Sequence, residues 1–221
     1  MNIWEIIYRY KNVFLEGLKI TLSLCLIIFP ISVVLGSFIG FVGSKYPKTL
    51  GLIFRLISIL VSSTPILVFL FWMHYPFQYI FDLRIDPFTT SIFVISTAST
   101  FLMYDYVYNS FSSFPVELVS TAKVLGLSNT QIAKKIQFPI IFRQLLPNIV
   151  VLFSFILQAT IFCSFISVGE LFKKAQELNA DIFKPIELYS IVALFFITIC
   201  LFINLLSIYF KRKYSYDLNK Y

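Results

Sequence analysis

Five stretches of this chain stay apolar for about twenty residues at a time, the length a helix needs to cross the hydrocarbon of a bilayer. They run from Leu18 to Val42, Leu56 to Tyr75, Phe88 to Val107, Leu146 to Val168 and Ile186 to Phe210. Inside lipid every backbone N–H and C=O must be bonded within the protein, so a spanning segment is either a helix or part of a closed barrel. The period-two alternation in segments of roughly ten residues that marks a barrel strand is absent. The expected fold is an all-α membrane protein of about five transmembrane helices, forming a single domain over 1–221.

Composition agrees with that reading. Of 221 residues 58% are hydrophobic and only 13% charged, with a mean hydropathy of +0.85, far from the balance of a soluble domain. The first apolar run is too long for the core of a cleavable signal and is expected to stay in the mature protein. Cys25, Cys163 and Cys200 each fall inside an expected span, without metal-ligand spacing, and read as small apolar packing residues. The net charge of +7 sits in the connections between runs, where topology accounts for it, so no nucleic-acid partner is expected.

Lys and Arg concentrate on the cytoplasmic side of membrane proteins. Eleven lie in the 43–55 connection, the 112–145 loop and the C-terminal tail, and seven in the remaining connections. The Lys211-Arg212-Lys213 cluster abuts the last run. These residues place the C-terminus in the cytoplasm, and an odd number of spans then places the N-terminus and the 169–185 loop outside.

The longest inward-facing connection carries "STAKVLGLSNTQIAKKIQFP", Ser120 to Pro139. Leu118, Ala122 and Leu125 recur at helical spacing, and Gly126 stands where a left-handed helix stop is wanted. Ser128 to Gln131 reads as a capping box, with Leu127 and Ile132 at the positions of a hydrophobic staple. A second short helix is expected to end near Pro139. Such a helix-turn-helix with an apolar face packs on the protein's own helix ends, on lipid headgroups, or on a partner.

This segment resembles the cytoplasmic "EAA" coupling loop of permease subunits of binding-protein-dependent ABC importers. Ser120, Thr121 and Ala122 occupy the E-A-A positions, Gly126 the glycine, and Ile136 to Pro139 the closing segment; the lead glutamate is replaced. "SSTPILV" at 62–68 is similar to the R-G-T-P-L-L-V segment of the polar-amino-acid branch (the histidine/glutamine/arginine permeases), keeping Thr64 and Pro65. "VGELFKKAQELNADIFKPIELY" at 168–189 is similar to that branch's outer loop. The resemblance spans roughly residues 13 to 213. It implies the transmembrane-domain fold of ABC type I importers and transport of a small polar solute such as an amino acid. It also implies three protein partners: a cassette ATPase dimer that consumes the ATP, a second permease subunit, and an extracytoplasmic solute-binding protein. Ser120, Thr121, Ala122, Gly126, Ile136 and Pro139 would then form the ATPase joint. The sequence holds no phosphate-cradling G-x-x-x-x-G-K-[ST], so this chain is expected to bind no cofactor itself.

Candidates for the translocation path follow from polarity within the spans. Asp105 is the only clearly charged residue well inside one, where an ionisable group is a functional hypothesis by default; its other reading is a charge that reaches water or a loop cation. Pro65, after Ser62, Ser63 and Thr64, would bend its helix and free backbone carbonyls, as a lining or as a structural kink. His74 reads as an interface anchor. In the fourth run Gln158, Ala159, Thr160, Ile161 and Phe162 stand where many relatives carry K-D-T-S-L, so the acid that would face a cationic solute is missing. Gln158 and Thr160 complete the path candidates. An intramembrane or lipid-modifying enzyme, which would want several convergent titratable groups, and a non-transporting scaffold are the alternatives.

Overall fold

A computed structural model describes residues 2–215. In chain order the helices are α1 (Ile3–Arg9), α2 (Lys11–Lys45), α3 (Leu50–Ser63), α4 (Ile66–His74), α5 (Pro76–Ile80), α6 (Pro87–Ser112), α7 (Val116–Val124), α8 (Asn129–Ile132), α9 (Phe138–Ala159), α10 (Leu171–Ile182) and α11 (Pro185–Ser215). No strand occurs among the described residues. Each of the five apolar runs is helical, but they are not five equivalent spans. Among the described residues three helices are long and apolar enough to cross a membrane, those over Lys11–Lys45, Asn129–Ile166 and Pro185–Tyr214. The second run is a broken pair, α3 and the α4–α5 segment, bent by 95°, which makes a fourth if counted as one span. The third run, in α6, is not among them. Seven Ser and Thr residues between Thr89 and Thr100 dilute its hydropathy, and it is the central helix, packed on α2, α3, α4 and α9.

The α2–α6 contact is the most extensive in the bundle, and the side chains of α2 explain it. Its buried positions are Gly17, Thr21, Leu24, Cys25, Ile28, Ser32, Gly36, Gly40 and Gly43, a stripe at four-residue spacing made mostly of small residues. A Cβ on Gly36 would lie 2.5 Å from the Met103 Cβ and 2.6 Å from the Thr100 backbone oxygen. One on Gly40 would lie 2.7 Å from the Val107 Cβ. Lipid tails are as apolar as leucine, so helices in a membrane associate by close packing. Here the two backbones touch. At about 1.5 Å per residue α2 is about 50 Å long, longer than the hydrocarbon layer, and continues past it.

The 169–185 loop is itself mostly helix. α10 sits on the N-terminal end of α2, where Leu171 N–H donates to Thr21 Oγ1 at 3.1 Å and Thr21 in turn donates to the Gly17 carbonyl. Glu170 caps α10, accepting from Phe172 N–H at 2.9 Å and Lys173 N–H at 2.7 Å, while fully buried. Burial pushes its carboxyl from an ordinary 4.5 up to about 7, against the opposite pull of the two N–H groups. Phe183 closes α10 in a left-handed conformation with φ 52°, unusual for a bulky residue.

Two predictions follow from these contacts. Gly36→Ala must displace the Thr100 backbone, an overpacking cost of about 1–3 kcal/mol. Gly169→Ala meets only ordinary contacts at 3.5 Å and 3.6 Å and should stay within about 0.5 kcal/mol of the parent. Thermal unfolding in detergent distinguishes them, and equal midpoints would refute the close-packing account. For Glu170 the folded state holds its proton to higher pH than the unfolded chain does. Its contribution to stability is therefore full at low pH and declines as pH rises from about 4.5 to about 7. Glu170→Gln should flatten the unfolding midpoint across that window; an unchanged slope would show that another group titrates there.

Candidate functional site

The segment from Ser120 to Pro139 is built from local chemistry. α7 ends in a Schellman arrangement: Gly126, at φ 81°, donates its N–H to Lys123 O at 3.0 Å, and Leu127 N–H reaches Ala122 O at 3.1 Å. The capping box is present, with Ser128 N–H donating to Gln131 Oε1 at 2.9 Å and Gln131 N–H to Ser128 Oγ at 3.3 Å. Ala122 and Ile132 are buried, whereas Val124 and Leu125 are 87% and 75% exposed at the turn. Ser120 and Thr121 are exposed, and Ile136 is half-buried against the core. A side chain at Gly126 would meet nothing within 4 Å, so its requirement there is conformational.

The expected end of the second helix near Pro139 is corrected. α8, a π-helical turn over Ala133–Gln137 and α9 form one uninterrupted helix, and the membrane-length helix runs over Asn129–Ile166. A proline ring clashes with the carbonyl four residues back and offers it no N–H. The wider π turn relieves this, with Phe138 N–H bonding Ala133 O, five residues back. The 112–145 loop and the fourth run therefore have no boundary at 145.

Among the path candidates, Thr64 and Pro65 occupy the break between α3 and α4. Thr64 is extended at φ −86° and ψ 120°, as a residue before proline is pushed to be, and its hydroxyl donates to Leu60 O at 2.9 Å. The result is a 95° break between two helices, sharper than a kink within one. Asp105 accepts a 2.7 Å hydrogen bond from Ser58 Oγ and makes no ion pair within 4 Å among the described residues. Around it opens a polar cleft of about 270 Å³ between α3 and α6, lined by Arg55, Ser58 and Ser62 on one wall and Tyr104, Tyr108 and Asn109 on the other. Sequence reading missed these companions. The signal was available, since polar residues recur at helical spacing on α3 (55, 58, 62) and on α6 (104, 105, 108, 109).

The remaining candidates lie elsewhere. Gln158 is exposed on the side of α9 that meets α11, its Nε2 donating to Ser154 Oγ at 3.4 Å and to Cys200 Sγ at 3.5 Å. Thr160 is buried, its hydroxyl donating to Leu157 O at 2.8 Å. His74 belongs to a polar network rather than an aromatic anchor alone: its Nδ1 lies 3.2 Å from both Thr90 Oγ1 and Gln78 Nε2, and Gln78 Oε1 accepts from Ile85 N–H at 2.8 Å. All three cysteines are free, Cys25 and Cys163 buried and Cys200 half-buried. No group of three or more His, Cys, Asp or Glu side chains gathers among the described residues.

Residues 32–216 match the sequence family described as "Binding-protein-dependent transport system inner membrane component". The glutamine transport system permease protein GlnP of Escherichia coli (strain K12) is 26% identical over 205 residues, covering 91% of this chain and 92% of its own length. The histidine/lysine/arginine/ornithine transport system permease protein HisQ of Salmonella typhimurium is 25% identical over 223 residues, covering 95% and 96%. In fold, the chain matches a solved amino acid ABC transporter with histidines at a TM-score of 0.86 and 21% identity, covering 96% of this chain and 99% of that one. It matches the inward-facing MetNI methionine ABC transporter at 0.72 and 15%, covering 93% and 98%. The architecture is that of ABC type I importer transmembrane subunits. The chain belongs to the family of binding-protein-dependent transport system inner membrane components, and it is a permease subunit, a transport component rather than an enzyme.

Proposed function

We infer that this permease subunit carries a small polar solute, an amino acid, with a second permease subunit, a cassette ATPase dimer that consumes the ATP, and an extracytoplasmic solute-binding protein. The C-terminus and the α7–α8 joint then face the cytoplasm, and α10 faces outward. The solute class is supported by the relatives, whose names specify glutamine, histidine, lysine, arginine and ornithine and L-cystine. With Ala159 where the acid would stand, the solute is not a basic amino acid, or this subunit is the half of a heterodimer that does not contact it.

The observation that carries the mechanism is the unbroken helix from Asn129 to Ile166. An ATPase groove that takes up the exposed Val124–Leu125 turn holds one end of a rod whose other end lies inside the bundle. Closure of the ATPase dimer is transmitted as a rigid-body tilt of that rod. The Asp105 cleft beside the α3–α4 break is the polar lining that such a tilt opens or closes.

Two variants test the reading in a reconstituted complex. Gly126→Val forces a branched side chain into a left-handed conformation, at about 1–2 kcal/mol. It should insert normally and lose ATPase association or the coupling of hydrolysis to uptake, whereas normal transport would remove the joint's docking role. Asp105→Asn should lower uptake about tenfold, the value of a hydrogen bond to a charged group, while the complex stays assembled. Full uptake in that variant would leave Asp105 as a solvated charge.

A further inference from the structure

At the end of the bundle that carries Lys211-Arg212-Lys213, a cleft of about 360 Å³ opens between α9 and α11. The two helices run antiparallel, and Ser207 Oγ, donating to the Pro147 carbonyl at 3.0 Å, fixes their register. That register brings Arg143 of α9 and Lys211 of α11 to opposite walls of the same opening. Both side chains are exposed, and neither forms an ion pair within 4 Å among the described residues. Gln144, Asn148 and Tyr214 add neutral hydrogen-bonding groups beside them. Further along, Pro147 and Val151 make the lining apolar.

We propose that this cleft is a binding site for the phosphate of an anionic membrane phospholipid, held between Arg143 and Lys211 with its first acyl carbons against Pro147 and Val151. Two cations on opposite walls match a phosphodiester carrying one negative charge, and Arg offers it a two-point hydrogen bond. Basic pockets between membrane helices on the cytoplasmic side recognise such headgroups by the same chemistry. A free oxyanion such as inorganic phosphate shares the polar part of that chemistry. It has no use for the apolar part, which lies about 12 Å along α9 from Arg143 to Val151, and this favours the lipid. α9 belongs to the rod that bears the joint, so a lipid wedged here ties the cytoplasmic end of α9 to α11. The inference stands apart from the identity of the solute.

The test is native mass spectrometry of the full chain, purified with its partner subunits, titrated with phosphatidylglycerol or with phosphatidylcholine. The parent protein should retain phosphatidylglycerol in preference, one molecule per copy of this chain. Lys211→Gln, which leaves the α9 wall intact, should weaken that binding roughly fivefold, and Arg143→Gln with Lys211→Gln roughly thirtyfold, from the usual contribution of one cation near a membrane surface. Phosphatidylcholine binding should not change. The charge-preserving pair Arg143→Lys with Lys211→Arg should bind nearly as the parent does, which controls for folding. Equal retention of the two lipids by the parent, or undiminished phosphatidylglycerol in Lys211→Gln, would overturn the site. Displacement of the lipid by millimolar inorganic phosphate would assign a free oxyanion instead, and cross-linking of Lys211 to the ATPase would assign a protein interface; either overturns the proposal.

Discussion

The structure depends on two backbones being able to touch. In water an oily helix is driven against its neighbours by solvent, but in lipid that drive is missing and only contact quality remains. The α2 stripe through Ser32, Gly36 and Gly40 provides it, because the nearest atoms on α6 include the Thr100 carbonyl itself. With α6 pinned along α2, the other elements have a fixed frame. α10 is hung from Thr21 at one end, and Tyr104 of α6 donates to the Gly51 carbonyl of α3 at 3.1 Å at the other. Asp105, the next residue along, owes its place opposite Ser58 to that same anchoring.

Four prolines inside or between these helices show why sequence reading gets so far and no further. Pro30 lies within an uninterrupted α2. Pro65 divides α3 from α4 with a bend of 95°. Pro139 is absorbed by a π turn, and Pro147 sits in α9 with its own carbonyl accepting from Ser207. The missing N–H and the clashing ring are identical each time. What differs is whether neighbours satisfy the freed groups, and that is tertiary information. A disturbance at Pro65 was therefore legible while its size was not, and the expected stop at Pro139 became a continuation.

The local signals were more dependable because they close within a few residues. Gly126 and the Ser128–Gln131 box form as their spacing requires, since every partner lies within five positions. The apolar runs likewise became helices. The α2 glycine stripe and the polar faces of α3 and α6 were present as periodicities but are only decisive once the helices are paired. The helices α1 and α10 were not legible as runs at all: α1 spans seven residues, and α10 carries polar residues over most of its surface. Both take their order from docking on α2 and α11.

The mechanical consequence lies in how the joint and the cleft are connected. α7 packs on α8 across the Gly126 turn, α8 is continuous with α9, and α9 packs on both α6 and α11. A displacement at Val124–Leu125 therefore has one continuous helix as its route into the bundle, and it arrives at the helix that carries Asp105. α6 is held on its other flank by the α2 backbone contact, so it cannot simply follow α9. The compliant element left is the α3–α4 break, where no helical hydrogen bond crosses Pro65. On the proposed mechanism, motion driven at the joint is thereby concentrated between α3 and α6, the two walls of the polar cleft proposed to line the path.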